Sequence, residues 1–274
     1  MTIIVNLSAL HTLHHHSVAL AAFAKIREDY AMDCCGFRFL QTISNYVIVK
    51  GQFLISRNTL IEPYKRGAID TERFFENLLS MYDFLNADHL DFSNKAEELK
   101  DCYSRNPKHA LLEAAWNAII DMNEHVAGRF AQIAEQATPE NPVYLISNSN
   151  PLNVHKILQL FRKHNPDMNF FDPAAIHSEV TDENVNVQIA PNVFLCLSYR
   201  HRLFKTAEQN PNPNTTTSLL KNLLQGIPQD KDVQVISQFE GDLLEARRLG
   251  VPDAATHRAA DYFDAPAHTH QFGS

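Results

Sequence analysis

The apolar residues fall into two rhythms. Residues 2–7 (TIIVNL) form a short β-branched run that reads as a buried strand. From 17 to 31 the spacing turns helical, with Val18, Leu20, Ala21, Phe23, Ala24, Ile26 and Tyr30. Residues 46–55 (YVIVKGQFLI) fit a strand or a helix equally well. Asp70-Thr71-Glu72-Arg73 opens a helix: Asp70 can cap it, Glu72 suits its positive end, and Phe74, Leu78, Leu79 and Tyr82 recur at helical spacing. Pro107 precedes a predicted long helix over about 108–135, carrying Leu112, Ala115, Trp116, Ile119, Ile120 and Val126.

After residue 140 short apolar strands alternate with helices. Val143 to Ser147 and Val193 to Ser198 read as strands, and so do Val233 to Ser237. Helices are predicted from Pro151 to about 164, over 217–225, and from Asp242 to Leu249, the last closed by Gly250. Residues 165–190, rich in Asn, Asp and Pro, read as an irregular excursion, 207–216 as a loop, and 266–274 as a flexible polar tail. Strands alternating with helices predict an α/β fold with a parallel, Rossmann-like sheet. The helical block interrupting it is read as an insertion, so the core is expected from 1–14 and 138–265, with 15–137 inserted.

Composition narrows the chemistry. Eight glycines in 274 residues is well below the usual share of about 7%. Neither GxGxxG nor GxxxxGK[ST] occurs, so dinucleotide and P-loop phosphate cradles lack support. A net charge of −8 opposes an extended nucleic-acid face, and Arg247-Arg248 is too short to make one. No apolar run of membrane-spanning length occurs, and the start lacks the basic n-region of a signal peptide. The expectation is a cytoplasmic protein without membrane insertion. Cys34, Cys35, Cys102 and Cys196 show no zinc-finger spacing; Cys34-Cys35 is read as packing and Cys196 as a buried thiol. His11, His14, His15 and His16 cluster after the first strand, and a helix would put His11 and His15 on one face. With no HExxH and no carboxylate among them, they are read as a polar start to the helical block. Trp116 is read as core.

Four strand ends then line up in order. Ile3-Ile4-Val5 runs into Asn6-Leu7-Ser8, and Leu145-Ile146 into Ser147-Asn148. Ser198-Tyr199-Arg200 leads to Lys205, and Val235-Ile236-Ser237-Gln238 precedes Glu245-Ala246-Arg247-Arg248-Leu249-Gly250-Val251. Together with Gly67 to Phe74 and Ala115-Trp116-Asn117, this order resembles the haloacid dehalogenase (HAD) superfamily, helical-cap subgroup, across nearly the whole chain. The resemblance implies a Rossmann-like core with an inserted α-helical cap. It also implies that an Asp-x-Asp after the first strand supplies nucleophile and proton shuttle. A Ser/Thr and a Lys would bind the transferred group, and acidic residues after the last strand would hold Mg2+.

The departures from that pattern concern chemistry. Position 6 is Asn, a poor nucleophile and a neutral ligand; position 8 is Ser; positions 237 and 238 are Ser and Gln. Nucleophile, shuttle and metal charge are missing together. Ser147 and Lys205 remain as an anion-binding pair, with Lys205 lacking a counter-charge from these motifs. Glu240 and Asp242 follow closely, and Asp242 is read as a helix N-cap. The reading is therefore a catalytically inactive HAD-like protein serving as a protein-binding or scaffold subunit, with no catalytic residue, no metal and no cofactor. Two alternatives stand beside it: a non-standard, phosphatase-like hydrolase of a small phosphorylated substrate, and a metal-free sensor of a phosphorylated ligand. Helical caps of this kind can form homo-oligomers, although no apolar stripe in the sequence requires it.

Overall fold

The computed structural model describes residues 1–30, 38–88, 90–181, 185–209 and 217–264. Cys34-Cys35, residues 210–216 of the predicted loop and the tail from 266 lie outside the described residues. The strands are β1 (Thr2–Asn6), β2 (Thr12–Leu13), β3 (Ile120–Asp121), β4 (Val143–Ser147), β5 (Val187–Ala190), β6 (Val193–Leu197), β7 (Val233–Ser237) and β8 (Thr256–Arg258). The helices of the first half are α1 (Ser17–Tyr30), α2 (Arg38–Ser56), α3 (Glu62–Lys65), α4 (Thr71–Met81), α5 (Ala96–Leu99) and α6 (Pro107–Asn117). They are followed by α7 (Glu124–Ala134), α8 (Pro151–His164), α9 (Ser198–His201), α10 (Leu219–Gly226), α11 (Glu240–Arg248) and α12 (Ala259–Phe263).

The predicted apolar strands form one six-stranded sheet in the order β5-β6-β4-β1-β7-β8. Its five inner and right-hand neighbours run parallel, and β5 alone is antiparallel, on the edge beside β6. All five residues of β1 are buried. Strands covered on both faces cannot alternate apolar with polar, so they appear in the sequence as unbroken apolar runs. The fold is α/β with a Rossmann-like sheet. In register, Asn6 of β1 lies opposite Ile146 of β4, and Val5 opposite Ile236 of β7. The carboxyl ends of the three central strands therefore stop within a residue of one another, with Asn6, Ser147 and Ser237 last. Crevices at that end of an open parallel sheet are where such folds place ligands.

The chain divides into two compact units. One comprises 1–12, 122–149 and the chain from 160 onward; it holds the sheet. The other comprises 13–121 and 150–159 and is helical. Its core stacks Tyr64 on Phe74 at 4.1 Å and sets Trp116 edge-on to Phe74 at 5.2 Å. Asp70 caps α4 as expected, its carboxylate accepting from Arg73 N at 2.7 Å.

Several expectations change. The long helix over 108–135 is two helices separated by β3, and the second is opened by Asn123, whose side chain accepts from Val126 N. The helical unit takes in 13–121, and α7 falls in the sheet unit, its Phe130 stacked on Phe161 at 4.2 Å. The first turns of α8 group with the helical unit. Residues 46–55 are helical, within α2. The excursion over 165–190 contains a short turn at Pro173–His177 and the edge strand β5. β8 and α12 were not predicted. Among the described residues no helix is long and apolar enough to cross a membrane.

Candidate functional site

The site is built by three strand ends and one helix. Asn6 ends β1 in extended conformation and caps the turn Leu7–Leu10. Its carboxamide oxygen accepts from Ser8 N at 3.1 Å and from Ser8 Oγ at 2.7 Å. Both oxygen lone pairs are thus occupied, which leaves the amide N–H2 facing the other way. It donates to Ser237 Oγ at 3.1 Å and to Asp242 Oδ2 at 2.7 Å.

Asp242 is the centre of the cluster. The same Oδ2 accepts from Ser237 Oγ at 2.6 Å and lies 2.8 Å from Lys205 Nζ. Asp242 does not cap its helix: α11 begins at Glu240, and Phe239 occupies the cap position without a side-chain bond. Side chains in the first turn of a helix lean back toward its N-terminus, which aims the carboxylate at the strand ends. Lys205 therefore has a counter-charge, contrary to the expectation from its motif. The ion pair is dry, with the two side chains 5% and 2% exposed. Burial holds the Lys205 amine below the ordinary lysine range, and Asp242 pulls it the opposite way. Above it the Phe239 ring lies 4.9 Å from the ammonium, while Phe239 itself is exposed. Asn148 anchors the lysine from behind: its Oδ1 accepts from Lys205 N at 2.6 Å and its amide donates to Gln209 Oε1 at 2.5 Å.

Asn6, Ser8, Ser237 and Lys205 are thus brought together, and Ser147 is buried at the end of the neighbouring strand. Gln238 is exposed and stays out. Glu240 is exposed as well and pairs with Arg258 at 3.0 Å and Arg247 at 3.5 Å, so that Arg247 belongs to a surface ion network. Asp242, read from the sequence as an N-cap, Asn148, quoted there only as the neighbour of Ser147, and Phe239 are the further members of the site.

Remaining candidates separate. His11 is buried, with Nδ1 donating to Leu7 O at 2.9 Å, and desolvation lowers it to about 4. It lies in the sheet unit after a 3-10 turn, so the helix that would align it with His15 does not form. His14 faces Asp121 at 3.5 Å, and His15 Nδ1 accepts from Ser17 N. Among the described residues no three His, Cys, Asp or Glu side chains are placed to hold a metal ion. Cys196 is a buried thiol, pushed up by desolvation. Trp116 is core, 6% exposed.

The donor set at the strand ends does not suit a hard dication. It offers one carboxylate, and that carboxylate already faces an ammonium; the other oxygens are neutral, with the Asn6 oxygen bound by Ser8.

No protein-family model matches the chain, and no curated protein matches it. Among solved structures, a HAD family enzyme from Bacteroides thetaiotaomicron superposes with a TM-score of 0.53 at 15% identity, over 94% of this chain and 92% of that one. Two further structures of that enzyme, each in complex with magnesium and inorganic phosphate, give TM-scores of 0.47 and 0.46 at 16% and 17% identity. The likeness shows a HAD-like fold.

Proposed function

We propose that this chain is a catalytically inactive HAD-like protein, retained as a protein-binding or scaffold subunit. The observation that carries the reading is the closed charge balance at the strand ends. One carboxylate oxygen takes bonds from Asn6, Ser237 and Lys205 together. Every such bond stabilises the anion and lowers its reactivity as a nucleophile. The position from which an attacking carboxylate would start holds a carboxamide, and a cation approaching Asp242 would meet Lys205 first. A phosphate bound by Ser147 and Lys205 would have to displace Asp242 from the ammonium, which weighs against the sensor reading.

The binding role draws support from the 165–190 excursion. Arg200, itself 3% exposed, gathers it by donating to the carbonyls of Ala175, Ile176, Ser178 and Val185. Tyr199 adds a bond to Ile176 O at 3.0 Å. The described part of the excursion is thereby tied to α9, and it carries Phe171 and Val180, each about two-fifths exposed. Such a surface fits a partner protein with an apolar patch.

The test is an assay with Mg2+ against phosphate monoesters and short haloacids. No turnover above buffer is expected. Turnover that disappears in both Asn6→Ala and Lys205→Ala would overturn the inactive reading. For the binding role, co-purified partners from the native source should be retained by the wild type and lost by Phe171→Asp with Val180→Asp. Retention by that variant would overturn the assignment of the surface.

A further inference from the structure

We propose that the sheet face under α10 carries a ligand site of its own, apart from the strand-end cluster, and that it takes a flat, neutral heterocycle about the size of a nucleobase. The cavity there measures about 310 Å3, inside the range of about 300–1,000 Å3 usual for small-molecule sites. Its lining residues all belong to the sheet unit. Tyr144, on its sheet side, stands three residues before Ser147, which sets it about 10 Å back from the strand ends at roughly 3.3 Å per residue.

The space follows from the sequence of α10. Leu219, Asn222, Leu223 and Gly226 fall at i, i+3, i+4 and i+7 and share one face of the helix, the face laid on the sheet. Leu219 and Leu223 fill it, joining the apolar cluster that contains Ile146 and Cys196. Asn222 and Gly226 supply too little apolar volume to continue the packing, and a Cβ at Gly226 would meet nothing within 4 Å. Opposite them Tyr144 and Cys196 project from the same sheet face, because Cys196 pairs with Ile146, two residues on from Tyr144.

The walls select the ligand. The Tyr144 ring is stacked on Phe194 at 5.6 Å, which gives the sheet side a fixed aromatic surface for a flat ring. The polar groups are matched donors and acceptors. His201 Nε2 lies 2.8 Å from Asn186 Oδ1; a carboxamide oxygen only accepts, so Nε2 carries the proton and Nδ1 keeps its lone pair as an acceptor. Asn186 then offers its amide N–H2 as a donor, and Asn222 adds a second carboxamide. Burial, with Arg200 beside it, lowers His201, and burial raises the Tyr144 phenol, so both stay neutral at pH 7. Among the described residues lining the cavity none is Asp, Glu, Lys or Arg. A phosphate or an ammonium would therefore enter without a counter-charge, at a desolvation cost that a neutral base avoids.

The experiment is calorimetric titration of the full chain with hypoxanthine, beside indole, a ring of similar size without its acceptors, and inosine 5′-monophosphate, the same base carrying a phosphate. One saturable hypoxanthine site per chain is expected. Indole and the monophosphate should each bind at least about tenfold more weakly, the equivalent of about 1.4 kcal/mol, or one lost hydrogen bond. Gly226→Trp should abolish binding while leaving the urea midpoint near that of wild type, since the new side chain grows into open space. His201→Phe keeps the ring and removes the acceptor, and should cost at least about tenfold. Absence of saturable hypoxanthine binding would overturn the proposal, with no variant needed. Unchanged binding by a folded Gly226→Trp would overturn the placement, and a monophosphate bound as tightly as the base would overturn the neutral class. None of these readings involves Asn6, Lys205 or Asp242, so this proposal and the inactive reading fail separately.

Discussion

Asp242 reaches back from the first turn of α11 to lie 2.8 Å from Lys205, joining helix and strand ends in a pair that water scarcely touches. Breaking a buried pair from one side strands a charge in a low-dielectric site, at a cost on the order of 3–5 kcal/mol. Lys205→Met should therefore lower the urea midpoint strongly, and Asp242→Leu likewise. The double variant should lose clearly less than the two singles combined, because neither charge is then left alone. Simple additivity of the three midpoints would show that the pair is not coupled.

Asn6→Asp would look like a repair of the resembled motif, and the neighbours predict the opposite. The substitution removes the N–H that Asp242 Oδ2 accepts at 2.7 Å and puts an anionic oxygen in its place. Lost hydrogen bonding and like-charge repulsion together should cost on the order of 2 kcal/mol near neutral pH. Two carboxylates facing one another raise the folded-state carboxyl pKa, so the penalty should shrink as pH falls and one of them takes a proton. Urea unfolding of wild type and variant at pH 7 and pH 5 checks both sign and trend. A variant as stable as wild type at pH 7 would refute the geometry.

What could be read in advance follows from burial. β1, β4, β6 and β7 lie in the sheet's interior, and their apolar runs announce them. β5 and β8 are edge strands of four and three residues, and neither needs two apolar faces, so each was lost in polar sequence. The break after α6 contains neither proline nor glycine. Its signal was Asn123 followed by Glu124, a cap and an acidic first turn hidden within an apolar periodicity. At the site, Asn6, Ser8 and Ser237 were legible because motif positions map onto strand ends. Asp242 was not, because a sequence shows that an acid stands near a helix start without showing which way its side chain leans. A single turn of helix decides between capping the backbone and neutralising Lys205.

Arg200 should govern the excursion more than the sheet. Its guanidinium holds four carbonyls between Ala175 and Val185, a geometry that a lysine cannot copy with one ammonium. Arg200→Lys is expected to speed proteolytic cleavage within 173–190 and amide exchange there, while β1 and β4 keep their protection. Exchange rising equally across the sheet would mean that the excursion is not a separate unit of stability.

Acid stability should carry the mark of His11. Its Nδ1–H is committed to Leu7 O and its ring is 8% exposed, so the folded state holds it neutral. Desolvation lowers it from 6.5 to about 4. The unfolded chain, with an ordinary imidazole, then binds a proton across that interval and the folded protein does not. Since the unfolded state is favoured wherever it binds more protons, stability falls as pH drops from 6.5 toward 4 and stops falling from this source below that. At roughly 1.4 kcal/mol per pH unit, the interval from 6.5 to about 4 corresponds to about 3.5 kcal/mol. His11→Asn places an amide N–H where Nδ1–H stood and cannot titrate. The variant should therefore show a flatter unfolding free energy between pH 6.5 and 4 by that amount, measured by urea titration at several pH values. Parallel curves for the two proteins would mean that the imidazole is protonated as readily in the folded chain as in the unfolded one.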